Sequence, residues 1–283
     1  MRNRFVRTMA LAALVAGLAG CTGFGGLSES LGESIASQSD PQVVRDGAPS
    51  YLILADTLAR RSPDDAGAQF TAGRLYGTYA GSFVEDPERR RILSQTAYDY
   101  ARAGLCLRLE EVCGALDGRF PAFQAAVKNG VDDADDAEHL YRFATVWAGW
   151  LRARSDDYAA LADLPKLEVA FDRVIAISPE IDHGFAHVYK GVLLSQRPAA
   201  LGGEPEEARA HFERAIGISD GRNLMAKALY AENYARLVFD RELHDRLVTE
   251  VIEADPSAGD LTLSNRLAQE RARELRSSTD SFF

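Results

Sequence analysis

The fold is decided by a stretch near the middle of the chain, LEVAFDRVIAISP, at residues 167–179. Phe171 follows Leu167 by four positions, Val174 comes three positions later, and Pro179 follows five after that. Residues three and four apart share one face of an α-helix, whereas proline is poorly tolerated inside one. The stretch therefore predicts a helix that buries one face and ends just before Pro179.

The same spacing recurs twice further along the chain, at intervals near 40 residues. The second and third occurrences are Ala208, Phe212 and Ala215, with Asp220-Gly221 in the place of the proline, and His244, Val248, Val251 and Pro256, with His244 a departure from type. In the second helix of a tetratricopeptide (TPR) unit, a small residue admits the partner helix and a large one fills the gap. The repeat predicts an all-α, TPR-like solenoid of helical hairpins over residues 41–283.

Helical apolar spacing and proline punctuation extend through the N-terminal half, although more loosely. The predicted helices there are 51–60, 68–83, 87–109, 121–128 and 138–154. The acidic run at 132–136 lacks the turn glycine and terminal glutamate of a calcium loop. It is interpreted as a solvated loop that enters the next helix.

The first 21 residues have the features of a bacterial export signal. Arg2, Arg4 and Arg7 precede an uncharged run at 9–17, and Leu-Ala-Gly-Cys ends at Cys21. The apolar run is too short to span a membrane, which takes about 20 residues. The pattern predicts a signal peptide at 1–20 and lipidation of Cys21, against the alternative of an ordinary secreted protein with a chance cysteine.

The residues after Cys21 predict how the body is held at the membrane. The segment 21–40 carries the lipidated cysteine and is rich in glycine and serine, so it is predicted to be a flexible tether. Thr22 stands where an aspartate would resemble an inner-membrane retention signal. The predicted location is the periplasm, anchored to the inner leaflet of the outer membrane.

The charge of the mature chain excludes several partner classes. Removal of the signal peptide leaves 29 basic against 42 acidic residues, a formal charge of −13. A body this acidic is not expected to bind nucleic acid or to be drawn to anionic lipid.

Two cysteines remain besides the lipid site, Cys106 and Cys113. On one straight helix they would lie about 10 Å apart along the axis, too far for a disulfide. Gly114 and Asp117-Gly118 indicate that the helix stops before Cys113. A disulfide is favoured over two free thiols, and the absence of a nearby histidine argues against zinc.

Several stretches resemble the T-component family of TRAP (tripartite ATP-independent periplasmic) transporters. They are SYLIL (50–54), RLY (74–76), GFAHVYKG (184–191), ALGGEP (200–205), ARAHF (208–212), NLMAK (223–227) and YAR (234–236), together with the lipobox. The resemblance covers nearly the whole mature chain. It is patchy at 105–135, where the segment holding Cys113 looks like a local addition.

The resemblance implies a function in transport. Such proteins act beside the solute-binding subunit, and help deliver an organic acid or another ligand, such as a hydrophobic one, to the permease. The resemblance implies no cofactor, and self-association, for instance as a trimer, is a further hypothesis. The alternatives are a TPR lipoprotein adaptor in outer-membrane or pilus assembly, and an enzyme on a helical scaffold.

Candidate ligand- or partner-binding residues follow from helical spacing. Asn223, Lys227, Tyr230 and Tyr234 recur at i, i+4, i+7 and i+11, so they form one stripe on a helix. The alternative is that the two tyrosines pack with their hydroxyls satisfied at an edge. On the preceding helix the candidates are His187 and Tyr189; His183, His187 and Lys190 share the i, i+4, i+7 spacing. Two histidines alone are weak evidence for a metal site, so none is predicted, and no catalytic set is recognised.

Overall fold

The computed structural model describes residues 32–196, 199–201 and 203–283. These residues form helices joined by short connections, and no β-strand occurs among them. The predicted signal peptide and Cys21 lie outside the described residues. After a short helical segment at 32–36, the α-helices are α1 (Pro41–Arg61), α2 (Ala66–Phe83), α3 (Pro87–Arg108), α4 (Glu110–Ala115), α5 (Phe120–Gly130), α6 (Ala134–Arg152), α7 (Tyr158–Leu161), α8 (Leu164–Ile177), α9 (Ile181–Leu194), α10 (Pro205–Ile218), α11 (Leu224–Leu229), α12 (Arg241–Glu253), α13 (Thr262–Ser277) and α14 (Thr279–Phe282).

Proline marks the boundaries of several helices as predicted, although Pro49 lies inside α1. At α3, Pro87 occupies the first turn, and the Asp86 side chain accepts a hydrogen bond from the Arg89 N–H at 2.7 Å. Proline fits this position because its missing N–H would have no partner in the first turn anyway. At the other end, α8 stops at Ile177, two residues before Pro179.

The repeated spacing marks the buried face of three helices. Leu167, Phe171 and Val174 of α8 are fully buried. The corresponding side chains of α10 and α12 are buried too: Ala208, Phe212 and Ala215, and His244, Val248 and Val251. The all-α class is therefore confirmed, and neighbours in sequence pack in pairs, such as α2 with α3 and α9 with α10. The solenoid arrangement as a whole stays a prediction.

Glycine permits the closest approaches within these pairs. A Cβ at Gly73 of α2 would lie 3.0 Å from the Ala101 nitrogen and 3.0 Å from the Ala97 carbonyl oxygen of α3. At Gly191 of α9, a Cβ would lie 2.9 Å from the Phe212 ring. These contacts leave no room for a side chain, so the glycines set the spacing of the two hairpins.

The two cysteines lie on either side of a helix break. α3 ends at Arg108, and Cys113 lies in the short helix α4 that starts after Leu109. Because the break turns the chain, the Cα atoms of Cys106 and Cys113 are 5.0 Å apart, and their sulfurs are bonded in the structure. The sequence predicts that a helix ends before Cys113. In the structure that helix, α3, ends at Arg108, and Cys113 lies in the next helix, α4.

The acidic run begins α6 and is not arranged as a metal site. Asp133 caps α6 by accepting from the Asp136 N–H at 3.0 Å, while Asp136 accepts from the Asp132 N–H. Across the described residues, no group of three or more His, Cys, Asp or Glu side chains converges as metal ligands would. None of the described helices is long and apolar enough to cross a membrane.

One asparagine ties three C-terminal segments together. Asn265 of α13 is fully buried, and its amide donates to the carbonyl oxygens of Arg222 at 3.0 Å and Pro256 at 3.1 Å. Its own oxygen accepts from the Leu224 N–H at 3.0 Å. The side chain thus satisfies backbone groups at the start of α11 and after α12, which lack partners within those helices.

Candidate binding surface

The predicted stripe begins with two residues that have partners inside the chain. Asn223 is fully buried and caps α11 by accepting from the Ala226 N–H at 3.1 Å. Lys227 reaches the Glu250 carboxylate, with 2.8 Å between Nζ and Oε2. Asn223 thus performs the local task that asparagine favours at a helix start.

The two tyrosines of the stripe are packing residues. Tyr230 and Tyr234 are buried, and the Tyr230 ring stacks on Phe212 with centroids 5.1 Å apart. The Tyr230 hydroxyl lies 3.3 Å from a Glu213 oxygen, and burial raises the pKa of this tyrosine. Both belong to a π-helical segment, Tyr230–Ala235, that continues α11. A binding role for the stripe stays a prediction, and packing accounts for its apolar members.

His187 faces another histidine within a hairpin. Its Nδ1 lies 2.8 Å from Nδ1 of His211 on α10, so one ring donates and the other accepts. Burial first, and then the nearby His211 and Arg214, lower the pKa of His187 to about 4. Lys190, next on the predicted face, pairs with Asp172 at 2.8 Å. This face of α9 therefore packs against α8 and α10.

The buried His187, beside His211, is expected to make the folded protein less stable in mild acid. The folded pKa of about 4 lies below the unfolded value near 6.5, so the unfolded chain takes up the proton first as pH falls through this window. We expect His187 to cost about 2 kcal/mol of unfolding free energy between pH 7 and pH 5. Urea denaturation at both pH values measures it. A His187→Gln variant should lose less stability than wild type over this step; an equal loss in both proteins would contradict the assignment.

Tyr189 lies on a different face of α9 from His187. Its ring stacks on Phe171 with centroids 5.0 Å apart and 7° between the planes. Burial, and then the negative charge of Asp182, raise its pKa to about 12, while Arg152 acts in the opposite direction. The Tyr189 hydroxyl therefore lies within electrostatic reach of one carboxylate and one guanidinium.

Asp182 is held in an unusual backbone conformation. The three residues Asp182, His183 and Gly184 have positive φ angles of 48°, 54° and 80° at the start of α9. Tyr141 of α6 donates a hydrogen bond from its hydroxyl to Asp182 Oδ2 at 2.5 Å. Left-handed backbone at a non-glycine residue costs free energy and persists only where the surroundings enforce it. The Tyr141 contact is one such constraint.

Arg152, the last residue of α6, carries a charge without a counterion. Its side chain is exposed, and it has no hydrogen bond or ion pair with the described residues. Even so, burial by surrounding elements lowers its pKa, and the positive charge of Arg271 lowers it further. Arg152 also lines a small cleft together with Arg90.

Arg152 of α6 is influenced by charged or polar residues of other segments, among them α9, the π-helical segment and α13. Glu232 of the π-helical segment is ion-paired with Arg271 of α13, and both act electrostatically on Arg152. We define the Arg152 surface as Tyr141, Arg152, Asp182, Tyr189, Glu232 and Arg271. Of the residues predicted from sequence, only Tyr189 belongs to it; His187, Asn223, Lys227, Tyr230 and Tyr234 do not.

Residue spacing along α6 indicates part of the Arg152 surface. Tyr141, Thr145, Ala148 and Arg152 follow the same i, i+4, i+7, i+11 spacing as the predicted stripe. They form one line about 16 Å long on α6. The aromatic residues Phe143 and Trp147 mark the core face of this helix, where both are fully buried.

The arrangement suits binding. An exposed guanidinium that has no partner in the described chain, beside the Glu232–Arg271 pair, can hold an anionic group, and the described residues present no nucleophile activated by a base. The fold defines an all-α protein of packed helical pairs, with charged side chains grouped around Arg152.

Comparison with known proteins gives the family. The chain belongs to the TRAP transporter T-component family, whose model matches residues 37–283. A relative from Treponema pallidum (strain Nichols), described as an uncharacterized protein, is 24% identical over 263 residues. That match covers 87% of this chain and 81% of the relative. The resemblance noted in the sequence is confirmed, and it gives the chain an accessory role in TRAP transport.

Proposed function

We propose that this chain is a periplasmic lipoprotein that binds the solute-binding subunit of a TRAP system. It is held to the outer membrane through Cys21 and acts there without catalysing a reaction. The family match over residues 37–283 carries the proposal, because accessory components of a transporter act through association with its other subunits.

Two features of the chain support this function. The Leu-Ala-Gly-Cys sequence at 18–21 supplies an anchor, and the body beyond residue 40 is a continuous series of packed helices. Such a body offers large surfaces to a protein partner, and the small cleft lined by Arg90 and Arg152 offers a separate site to a small ligand. Ligand binding is the second part of the proposed function.

Affinity capture tests the partner. We expect the affinity-tagged chain, expressed in its own cells and captured from mild-detergent extracts of membranes, to co-purify a TRAP solute-binding subunit identified by mass spectrometry. Enrichment should exceed about tenfold, since stable interfaces of standard size give sub-micromolar affinity. A tagged, unrelated lipoprotein of the same membrane is the control. Recovery of no solute-binding subunit, with or without added organic acids, would count against the proposal.

A further inference from the structure

The side of α1 that is turned away from the body is apolar although it is exposed. Val43, Ile53 and Leu54 are 54%, 68% and 50% exposed. Val43 and Leu54 lie three turns apart, about 16 Å along the helix and within about 20° of each other around its axis, and Ile53 widens this strip on one side. The buried residues of α1 face the other way, toward α2: Val44, Leu52, Ala55 and Ala59. We define the α1 outer face as Val43, Ile53 and Leu54.

Exposed large apolar side chains are concentrated on α1. Eleven such side chains occur in the described residues, and four of them lie within the twelve residues 43–54. The fourth is Tyr51, whose hydroxyl has no hydrogen bond with the described residues. An apolar ring with a free hydroxyl suits the boundary between water and lipid. Single exposed apolar residues are normal, whereas a cluster on one helix indicates an interaction surface.

The position of α1 in the chain places it close to the predicted lipid anchor. Eleven residues lead from Cys21 to Gly32, where the described chain begins, and α1 starts nine residues later at Pro41. Eleven residues span at most about 40 Å when fully extended. A tether of this length holds a surface at an effective concentration near the millimolar range. A weak attraction is therefore enough to keep α1 on the bilayer that holds the anchor.

The charge of α1 is compatible with a lipid surface. The helix carries three basic and two acidic side chains, a net charge of +1, whereas the mature chain carries −13. The body as a whole is therefore repelled by anionic lipid, but α1 itself is not. Asp46 and Thr57 lie among the apolar side chains of this side of the helix. Because these polar groups resist burial in hydrocarbon, the contact is limited to the depth of the headgroups.

We propose that the α1 outer face rests on the lipid bilayer to which Cys21 anchors the chain. This inference rests on the lipid anchor of the proposed function and adds the orientation of the body. Amphipathic helices that lie in the plane of a bilayer bury their apolar side in the same way. The three side chains of this face hold fewer carbon atoms than one myristoyl chain, which by itself binds a membrane only marginally. The face therefore orients the body but does not retain it without the anchor.

Quenching of a fluorescent label by lipid tests this docking. The full lipidated chain is reconstituted in phosphatidylcholine vesicles with a nitrobenzoxadiazole label on Val43→Cys, and part of the lipid carries a nitroxide on its headgroup. Cys106 and Cys113 are bonded to each other and do not take the label. We expect the label to be quenched. Leu54→Asp, three turns away, should lower the ratio of quenched to unquenched label at least about tenfold, because it removes one buried apolar side chain.

Ile92 of α3 supplies the matched controls. It resembles Ile53 in residue type and in exposure, at 60%, and it lies on a helix that packs on α2, α4 and α6. A label on Ile92→Cys should stay in solvent and unquenched. Ile92→Asp should leave the quenching of the Val43 label within about twofold of its value in the chain without this change.

Four outcomes would overturn the inference. Vesicles that carry the protein but leave the Val43 label unquenched would refute the docking and leave the anchor standing. Protein that does not float with the vesicles at all would refute the anchor and, with it, the docking. Equal quenching at Val43 and Ile92 would show adsorption without a preferred face. If the Val43 label is shielded from water but not quenched by lipid, and dilution of the protein in the vesicles removes the shielding, a second copy of the chain covers the face.

Discussion

A Cys21→Ser change is expected to move the protein from the membrane fraction to the soluble periplasmic fraction. The thiol of Cys21 is the predicted attachment point of the lipid, and no described helix can substitute for it as an anchor. Each buried methylene contributes about 0.8 kcal/mol, so two or more acyl chains hold a protein firmly and their loss releases it. Cell fractionation followed by immunoblotting measures the change.

The matched control for this change is Cys106→Ser, which removes a different cysteine and opens the bridge to Cys113. It should leave the protein in the membrane fraction, since the anchor is intact. If the Cys21→Ser protein remains with the membranes after a high-salt wash, another segment attaches it and the lipoprotein proposal fails.

The largest expected effect of a single substitution on stability is at Asn265. An Asn265→Leu change removes the acceptor for the Leu224 N–H and the donor to the carbonyls of Arg222 and Pro256. Each buried backbone group left without a partner costs about 1–3 kcal/mol, so the variant should lose about 4 kcal/mol of unfolding free energy. Urea denaturation followed by circular dichroism gives the value.

Asn233→Leu is the matched control for this prediction. Asn233 is half-buried, and its amide donates only to the Leu229 carbonyl one turn earlier in the same helix. Its loss should cost less than about 1 kcal/mol, because Leu229 can also be reached by water. A loss below about 1 kcal/mol for Asn265→Leu would show that the three segments do not depend on this side chain.

The features that were predicted correctly from the sequence depend only on interactions between residues close together in the chain. Helix starts at Pro87 and Pro205, and the helix end before Pro179, follow from the fixed φ angle and missing N–H of proline. The buried face of α8 follows from spacing within one helix, because Leu167, Phe171 and Val174 must share a side. These features need no knowledge of what packs against them.

The binding surface could not be predicted from local spacing. Tyr189 interacts with Asp182 of its own helix and with Arg152, which is 37 positions before it. Arg271 acts on Arg152 from 119 positions further along the chain. Such encounters depend on how hairpins stack, and the periodicity of a single helix carries no information about stacking. Asn223 is a different case, because its role as the cap of α11 is local and asparagine at a helix start is a signal for it.

The π-helical segment Tyr230–Ala235 is a wider turn than an α-helical one, as if one residue had been inserted into the helix that begins with α11. Before the segment Lys227 contacts Glu250, and after it Arg236 donates to Ser278 at 2.6 Å, so the turns on both sides are tied to neighbouring helices. Glu232, which neutralises Arg271, lies within the widened turn. A change of length within this turn would therefore move Glu232 relative to Arg271 and alter the local balance of charge.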